Sequence, residues 1–169
     1  MRLQKWSLVG VILAIFASPH RSYAQSAGEI LKRYEGLYRF AGPHPKYEVH
    51  RFFQQSDVFV FPSLAEGSAC VTYEALASEL PIITTPNSGS VARDGIDGFL
   101  VPAQDVDAIG ERLALLYADP ALRRRMGAQG RELIEREYTW RHYRRRVGDL
   151  YRQLLEDGST ASIQTGPGA

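Results

Sequence analysis

The strongest constraint on the fold is a pair of apolar runs without polar alternation. Asp57-Val58-Phe59-Val60-Phe61-Pro62-Ser63 is β-branched and aromatic up to a proline, and Pro81-Ile82-Ile83-Thr84-Thr85 has the same character after a helix-favouring stretch over 69–78. A strand that is apolar at every position suits a parallel sheet covered on both faces. Pro81 is tolerated because it falls at a strand's first position. Strand, helix and strand within about thirty residues make one βαβ unit, which nearly always closes right-handed.

The flanking segments extend this pattern. Gly98-Phe99-Leu100-Val101-Pro102 reads as a third, shorter strand, and Tyr38-Arg39-Phe40-Ala41-Gly42-Pro43 as another upstream, followed by a helix over 46–55. Downstream the chain is helical. A helix over 105–117 opens on acids, as its dipole favours. The next starts with Asp119 as N-cap and Pro120 at the first helical position, and a third covers 140–155. The predicted class is α/β: an open, doubly wound, Rossmann-like parallel sheet with C-terminal helices. Its boundaries are an N-terminal segment over 1–36, the domain over 37–156, and a small, polar, Gly- and Pro-containing tail over 157–169, expected to be disordered.

Residues 1–24 have two readings. Arg2 and Lys5 precede an apolar stretch, and Ser22-Tyr23-Ala24 offers small residues where a signal peptidase cuts, which describes a secretory signal. Alternatively 6–11 is a buried strand, broken by Gly10 and leading to a helix over 26–34. The enzyme-like remainder favours the strand. The apolar run over 8–17 is about half of the ~20 residues that span a bilayer.

Composition narrows the function. With 44% hydrophobic and 23% charged residues, collagen-like, coiled-coil and wholly disordered classes are excluded. The single cysteine, Cys70, excludes an intrachain disulfide and a Cys-rich zinc site. Net charge is +1, so bulk charge gives no case for nucleic acid. Charge is unevenly spread, however: from Glu48 to Glu111 the only bases are Arg51 and Arg93, whereas 121–152 holds ten arginines. Solvated helix faces account for these arginines, since no stacking or groove-reading motif accompanies them. Trp140 and Tyr143 among them fit either peripheral contact with a membrane or packing against another domain. Asp94-Gly95-Ile96-Asp97-Gly98 lacks the alternating ligands of an EF-hand and reads as a turn. His20, His44, His50 and His142 have no metal-ligand spacing.

Ligands of open α/β sheets bind beyond the carboxyl ends of the strands, so chemistry is expected in the loop after the 57–63 run. That loop reads Glu66-Gly67-Ser68-Ala69-Cys70-Val71-Thr72-Tyr73-Glu74. Gly67 lets a ligand approach the backbone, Ser68 is placed to cap the helix, and the N–H groups of Ala69, Cys70 and Val71 face the crevice as a phosphate cradle. Glu66 and Glu74 flank the cradle, with Glu74 leaning back over it. Amides for a diphosphate and carboxylates for hydroxyls suit a nucleotide sugar. The plainer alternative makes Glu66 a loop acid and Glu74 a solvated helix residue. Cys70 is read as core or pocket lining rather than a reactive thiol, because the adjacent acids oppose a thiolate.

Glu66 and Glu74 are separated by seven residues, and this EX7E spacing has matching surroundings. Asp57 to Ser63, Glu66-Gly67, Glu74-Ala75-Leu76-Ala77, Leu80-Pro81-Ile82-Ile83, Thr85-Pro86-Asn87-Ser88-Gly89, the run from Asp94 to Pro102, Arg123-Arg124-Arg125-Met126-Gly127 and Tyr138-Thr139-Trp140 together resemble glycosyltransferase family 4. The likeness covers 38–155. It implies the C-terminal, donor-binding half of a retaining GT-B enzyme. Such an enzyme moves a sugar from a UDP- or GDP-linked donor to a hydroxyl of a saccharide or lipid acceptor, with no metal ion and no cofactor. Carried over by residue, Glu66 is catalytic and contacts the donor sugar, Glu74 holds the ribose, and Gly67, Ser68, Ala69, Cys70 and Val71 line the sugar and diphosphate.

The resemblance further implies a partner acceptor domain and a basic diphosphate-binding pair outside the matched region. The 169 residues alone are therefore expected not to transfer sugar. It also implies a cytoplasmic location, peripheral at a membrane, or a secreted one if 1–24 is a signal. The rival reading is a non-catalytic remnant that binds a nucleotide or a partner. Two departures from the family pattern stand out: Ser78-Glu79 where small residues are usual, and Ser90-Val91-Ala92-Arg93 where a longer segment with a Pro-Glu pair is usual.

Overall fold

A computed structural model of the chain describes residues 11–13, 41 and 44–161, with side chains for 41 and 44–157. Strands β1 (Val11–Leu13), β2 (Val58–Phe61), β3 (Ile82–Thr84) and β4 (Gly98–Leu100) form one parallel sheet in the order β1-β2-β3-β4. Register runs from Leu13 to Val60 to Ile83 to Phe99 across it. The predicted strand over 6–11 overlaps β1 only at Val11. The paired residues are Val11, Ile12 and Leu13, and residues 6–10 of the predicted strand lie outside the described residues. Apart from Val11–Leu13, the 1–24 segment read as a signal falls outside the described residues, as do the helix over 26–34 and most of the strand over 38–43.

The helices are α1 (Val49–Gln54, entered through a 3-10 turn at Lys46–Glu48), α2 (Cys70–Ala77), α3 (Val106–Ala118), α4 (Pro120–Glu137) and α5 (Trp140–Ala161). The chain divides into two compact units, Met1–Arg131 and Glu132–Ala169, the division falling inside α4.

In the first unit every residue of β2 is buried, as a run apolar on both faces requires. Strand periodicity sends Val58 and Val60 to one face, where they pack with Ile83, Phe99, Leu116 and Met126 under α3 and α4. Phe59 and Phe61 go to the other, where Phe53 of α1 meets Phe59 edge-on at 5.8 Å. Both faces of the sheet are thus covered, the Rossmann-like arrangement the two runs call for.

Caps follow the sequence closely at two helices. Asp105 accepts the N–H of Ala108, and Asp119 accepts those of Ala121 and Leu122 at 2.9 Å with Pro120 at the first helical position. In the second unit Nδ1 of His142 takes the N–H of Thr139 at 3.3 Å, which satisfies a backbone donor at the start of α5. The backbone of α5 continues to Ala161, beyond the expected start of the tail. A formed helix adds one hydrogen bond per residue fixed, and no proline intervenes before Pro167.

Helix α2 ends in a Schellman motif. The N–H of Leu80 reaches the carbonyl of Ala75 and that of Glu79 the carbonyl of Leu76, both at 3.1 Å, with Glu79 left-handed at φ +62°. A small residue at this point would meet no Cβ penalty, which explains why Glu79 departs from the family pattern at a cost. The ion pair of Glu79 with Arg131 at 3.3 Å is exposed and returns little. Glu79→Gly is therefore expected to stabilise the chain by about 0.5–1 kcal/mol, seen as a rise in Tm.

Candidate functional site

The predicted loop lies at the carboxyl end of β2, and a second loop, at the end of β3, holds it in place. The N–H of Glu66 donates to the carbonyl of Asn87 at 2.8 Å. The hydroxyl of Thr85 donates to the carbonyl of Ser63, and that of Ser88 to the carbonyl of Thr85 at 2.8 Å. Gly89 completes the clasp. It is left-handed at φ +64°, and a Cβ there would lie 2.6 Å from the carbonyl oxygen of Gly67 and 2.9 Å from Cα of Ser68. Only glycine satisfies both demands. Asn87 and Gly89 were not singled out as site residues from the sequence. Their available signal was the Pro86-Asn87-Ser88-Gly89 turn directly after a buried strand.

Glu66, Gly67 and Ser68 are exposed, and open space surrounds the α-carbon of Gly67. The hydroxyl of Ser63 approaches Oε1 of Glu66 at 3.4 Å, a long contact that leaves the carboxylate exposed to solvent. Ser68 does not cap α2. Ala69 occupies the N-cap position in extended geometry with no side-chain hydrogen bond, and the hydroxyl of Ser68 instead lies 3.5 Å from that of Tyr73. The register is one residue later because the carbonyl of Ala69 is claimed by Thr72, through its N–H at 2.9 Å and its hydroxyl at 2.8 Å. Cys70 and Val71 then open the helix, and their N–H groups have no intrahelical acceptor. Cys70 is exposed, which removes the core reading of its thiol.

Glu74 sits one turn into α2 and is half-buried. Its carbonyl accepts the hydroxyl of Ser78 at 2.8 Å, while its carboxylate makes no hydrogen bond or ion pair among the described residues. Loop and helix start thus bring Glu66, Gly67, Ser68, Ala69, Cys70 and Val71 into one continuous stretch, with Glu74 on the same helix. No contact links the two carboxylates directly.

Among the described residues no group of three or more His, Cys, Asp or Glu is arranged to hold a metal ion. No described helix is long and apolar enough to cross a membrane. A shallow groove on α1, lined by His44, Glu48, Arg51, Phe52 and Gln55, contains none of the predicted site residues.

Comparison with known proteins bears on this arrangement. The family model described as "Glycosyl transferases group 1" matches residues 34–133. The capsular polysaccharide biosynthesis glycosyltransferase CapM of Staphylococcus aureus is 33% identical over 108 residues, covering 63% of this chain and 28% of that protein. The putative glycosyltransferase EpsD of Bacillus subtilis is 38% identical over 87 residues, 50% of this chain and 23% of that protein. The chain thus spans under a third of the length of these relatives. Among solved structures, sucrose-phosphate synthase from Thermosynechococcus elongatus aligns with a TM-score of 0.73 at 28% identity, over 83% of this chain and 37% of that one. The C-terminal domain of the group 1 protein LpcC from Francisella tularensis aligns at 0.65 and 23% identity over 73% of this chain and 67% of that domain, a likeness of fold.

Proposed function

The chain belongs to the glycosyl transferases group 1 family, and we propose that its α/β unit is the donor half of a retaining GT-B enzyme, binding a UDP- or GDP-linked sugar at the loop between β2 and α2. The observation that carries this reading is the carboxylate of Glu74. A half-buried acid on this helix, with no hydrogen bond or ion pair among the described residues, keeps its acceptor lone pairs open to a ligand. A pair of ribose hydroxyls offers it two donors. The N–H groups of Cys70 and Val71, at the start of the same helix, are fixed dipoles suited to the diphosphate.

In the transfer step these dipoles would stabilise charge developing on the departing diphosphate without reorganising, which is where electrostatic catalysis gains most. Glu66, exposed and flexibly bonded to Ser63, would take the hydroxyls of the donor sugar and orient its anomeric carbon. The Asn87 and Gly89 clasp would keep the loop from moving as the sugar leaves. The acceptor would be a saccharide or lipid hydroxyl, supplied against this unit by a further domain. Neither a metal ion nor a cofactor is required by this chemistry.

Calorimetric titration with UDP- and GDP-sugars tests the reading. At least one is expected to bind with a Kd below ~1 mM, about −4 kcal/mol. Absence of binding by all of them at millimolar concentration would overturn it and leave a family member without donor recognition.

A further inference from the structure

We infer that Asn87 is a further binding residue for the sugar of the nucleotide donor, its side-chain amide acting beside the carboxylate of Glu66. This role rests on the donor reading above and extends the site to the loop after β3. The turn that carries Asn87 is anchored on both sides. Thr85 and Ser88 are buried, at 1% and 0% exposure. The hydroxyl of Ser88 is used twice, donating to the carbonyl of Thr85 at 2.8 Å and accepting the N–H of Ser90 at 3.3 Å. Asn87, between these two residues, is exposed, and its side-chain amide makes no hydrogen bond among the described residues. Asparagine is common in turns because its side chain bonds the local backbone, or because it tolerates the left-handed region. Neither reason applies at position 87. Ser88 supplies the local bonds, and the non-glycine residues of positive φ are Glu79 and Gln104.

What distinguishes Asn87 is its placement. The 2.8 Å bond from the N–H of Glu66 to the carbonyl of Asn87 sets the two residues side by side beyond the carboxyl ends of β2 and β3. The α-carbon of Gly67, next in the chain, borders open space. The two side chains are chemically complementary. A carboxylate only accepts hydrogen bonds, so Glu66 can take the protons of sugar hydroxyls but leaves the lone pairs of those hydroxyls unserved. The amide of asparagine brings two donors and an acceptor. A hydroxyl that donates to Glu66 and accepts from Asn87 replaces both kinds of bond it made to water, and none is left unmade. The buried, hydrogen-bonded turn holds the amide in place before the ligand arrives, which lowers the ordering cost of binding. A free nucleoside diphosphate has no sugar to meet either side chain in this way.

The test is calorimetric titration of the chain and of its Asn87→Ala, Asn87→Asp and Glu66→Gln variants with UDP, GDP and the corresponding nucleotide sugars. Asn87→Ala is expected to bind free nucleotide as the parent does and nucleotide sugar about fivefold more weakly, the worth of one neutral hydrogen bond. Asn87→Asp removes the donors and sets a second carboxylate beside Glu66, so its loss should be larger. Asn87 is exposed and holds Glu66 through its backbone carbonyl, which both variants keep, so Tm should stay unchanged. A constant Tm with a loss confined to the sugar-bearing ligand separates a ligand contact from a loosened turn. Equal losses for free nucleotide and nucleotide sugar, or a loss accompanied by a fall in Tm, would overturn the role of Asn87. So would unchanged binding of both ligands. If Glu66→Gln still weakens only the nucleotide sugar in that case, the donor reading stands and Asn87 alone is excluded; if Glu66→Gln does not discriminate either, the donor reading fails with it.

Discussion

Replacing Arg93 by alanine is expected to destabilise the first unit by about 3–5 kcal/mol, the usual cost of leaving a buried charge without its partner. Asp97 is the buried member of this pair, at 0% exposure. Its two oxygens accept the backbone N–H and the Nε of Arg93, each at 2.6 Å. The Arg93 side chain is 40% exposed. The two halves of the pair are therefore unequal. Without the arginine side chain, the carboxylate keeps only the backbone N–H. Without the carboxylate, the guanidinium still reaches water, and Asp97→Asn should cost less, about 1–3 kcal/mol for the weakened hydrogen bonds. Chemical denaturation of both variants checks the asymmetry. Equal losses would mean that Asp97 is better solvated than its burial implies.

Gly127→Ala should also destabilise strongly, against the trend of helix propensity. Alanine in a helix interior gains ~1 kcal/mol over glycine. At position 127, however, a Cβ would stand 2.0 Å from the carbonyl oxygen of Glu79 and 2.7 Å from its carbonyl carbon. That obstacle is backbone, held by the Schellman motif, so α4 must retreat from the end of α2. Overpacking of this kind costs about 1–3 kcal/mol and at times more, and a backbone clash belongs at the top of the range. A net loss of about 2 kcal/mol is expected. Gly110 in α3 supplies the contrast, since nothing lies within 4 Å of a Cβ there. Gly110→Ala should gain up to ~1 kcal/mol. Thermal unfolding of the two variants should move Tm in opposite directions. The functional consequence runs through α2: the helix end fixed by Gly127 belongs to the element that carries Glu74.

These two contacts mark where sequence reasoning stops. The strands were legible because Val58 to Phe61 and Ile82 to Thr84 are apolar at every position, a local property. Asp105, Asp119 and Pro120 announced their helices by local chemistry as well. Asp97 announced nothing. In Asp94-Gly95-Ile96-Asp97-Gly98 it looks like any turn acid, and its burial against Arg93 depends on how the turn folds onto the sheet. Ser68 was misplaced for a related reason. The capping preference of serine is real, yet Thr72 holds the carbonyl of Ala69 by two hydrogen bonds and sets the helix start one residue later. Gly89 is the most instructive case. Its sequence neighbours mark a turn, but its role is to let another loop, 22 residues earlier at Gly67, pass against its backbone. The spacing of Glu66 and Glu74 was legible, whereas the difference in their surroundings, one exposed and one half-buried without a partner, belongs to tertiary structure alone.

The proposed division of the two carboxylates between ribose and donor sugar is measured directly by binding to variants of each. Glu74→Gln and Glu66→Gln should each be titrated with the free nucleoside diphosphate and with the corresponding nucleotide sugar. If Glu74 accepts hydrogen bonds from ribose, its variant loses about 1.5–3 kcal/mol with either ligand, the worth of a hydrogen bond to a charged group. Glu66→Gln should bind the free nucleotide as the parent chain does and lose affinity only for the sugar-bearing donor. The same loss for both variants with both ligands would contradict the account.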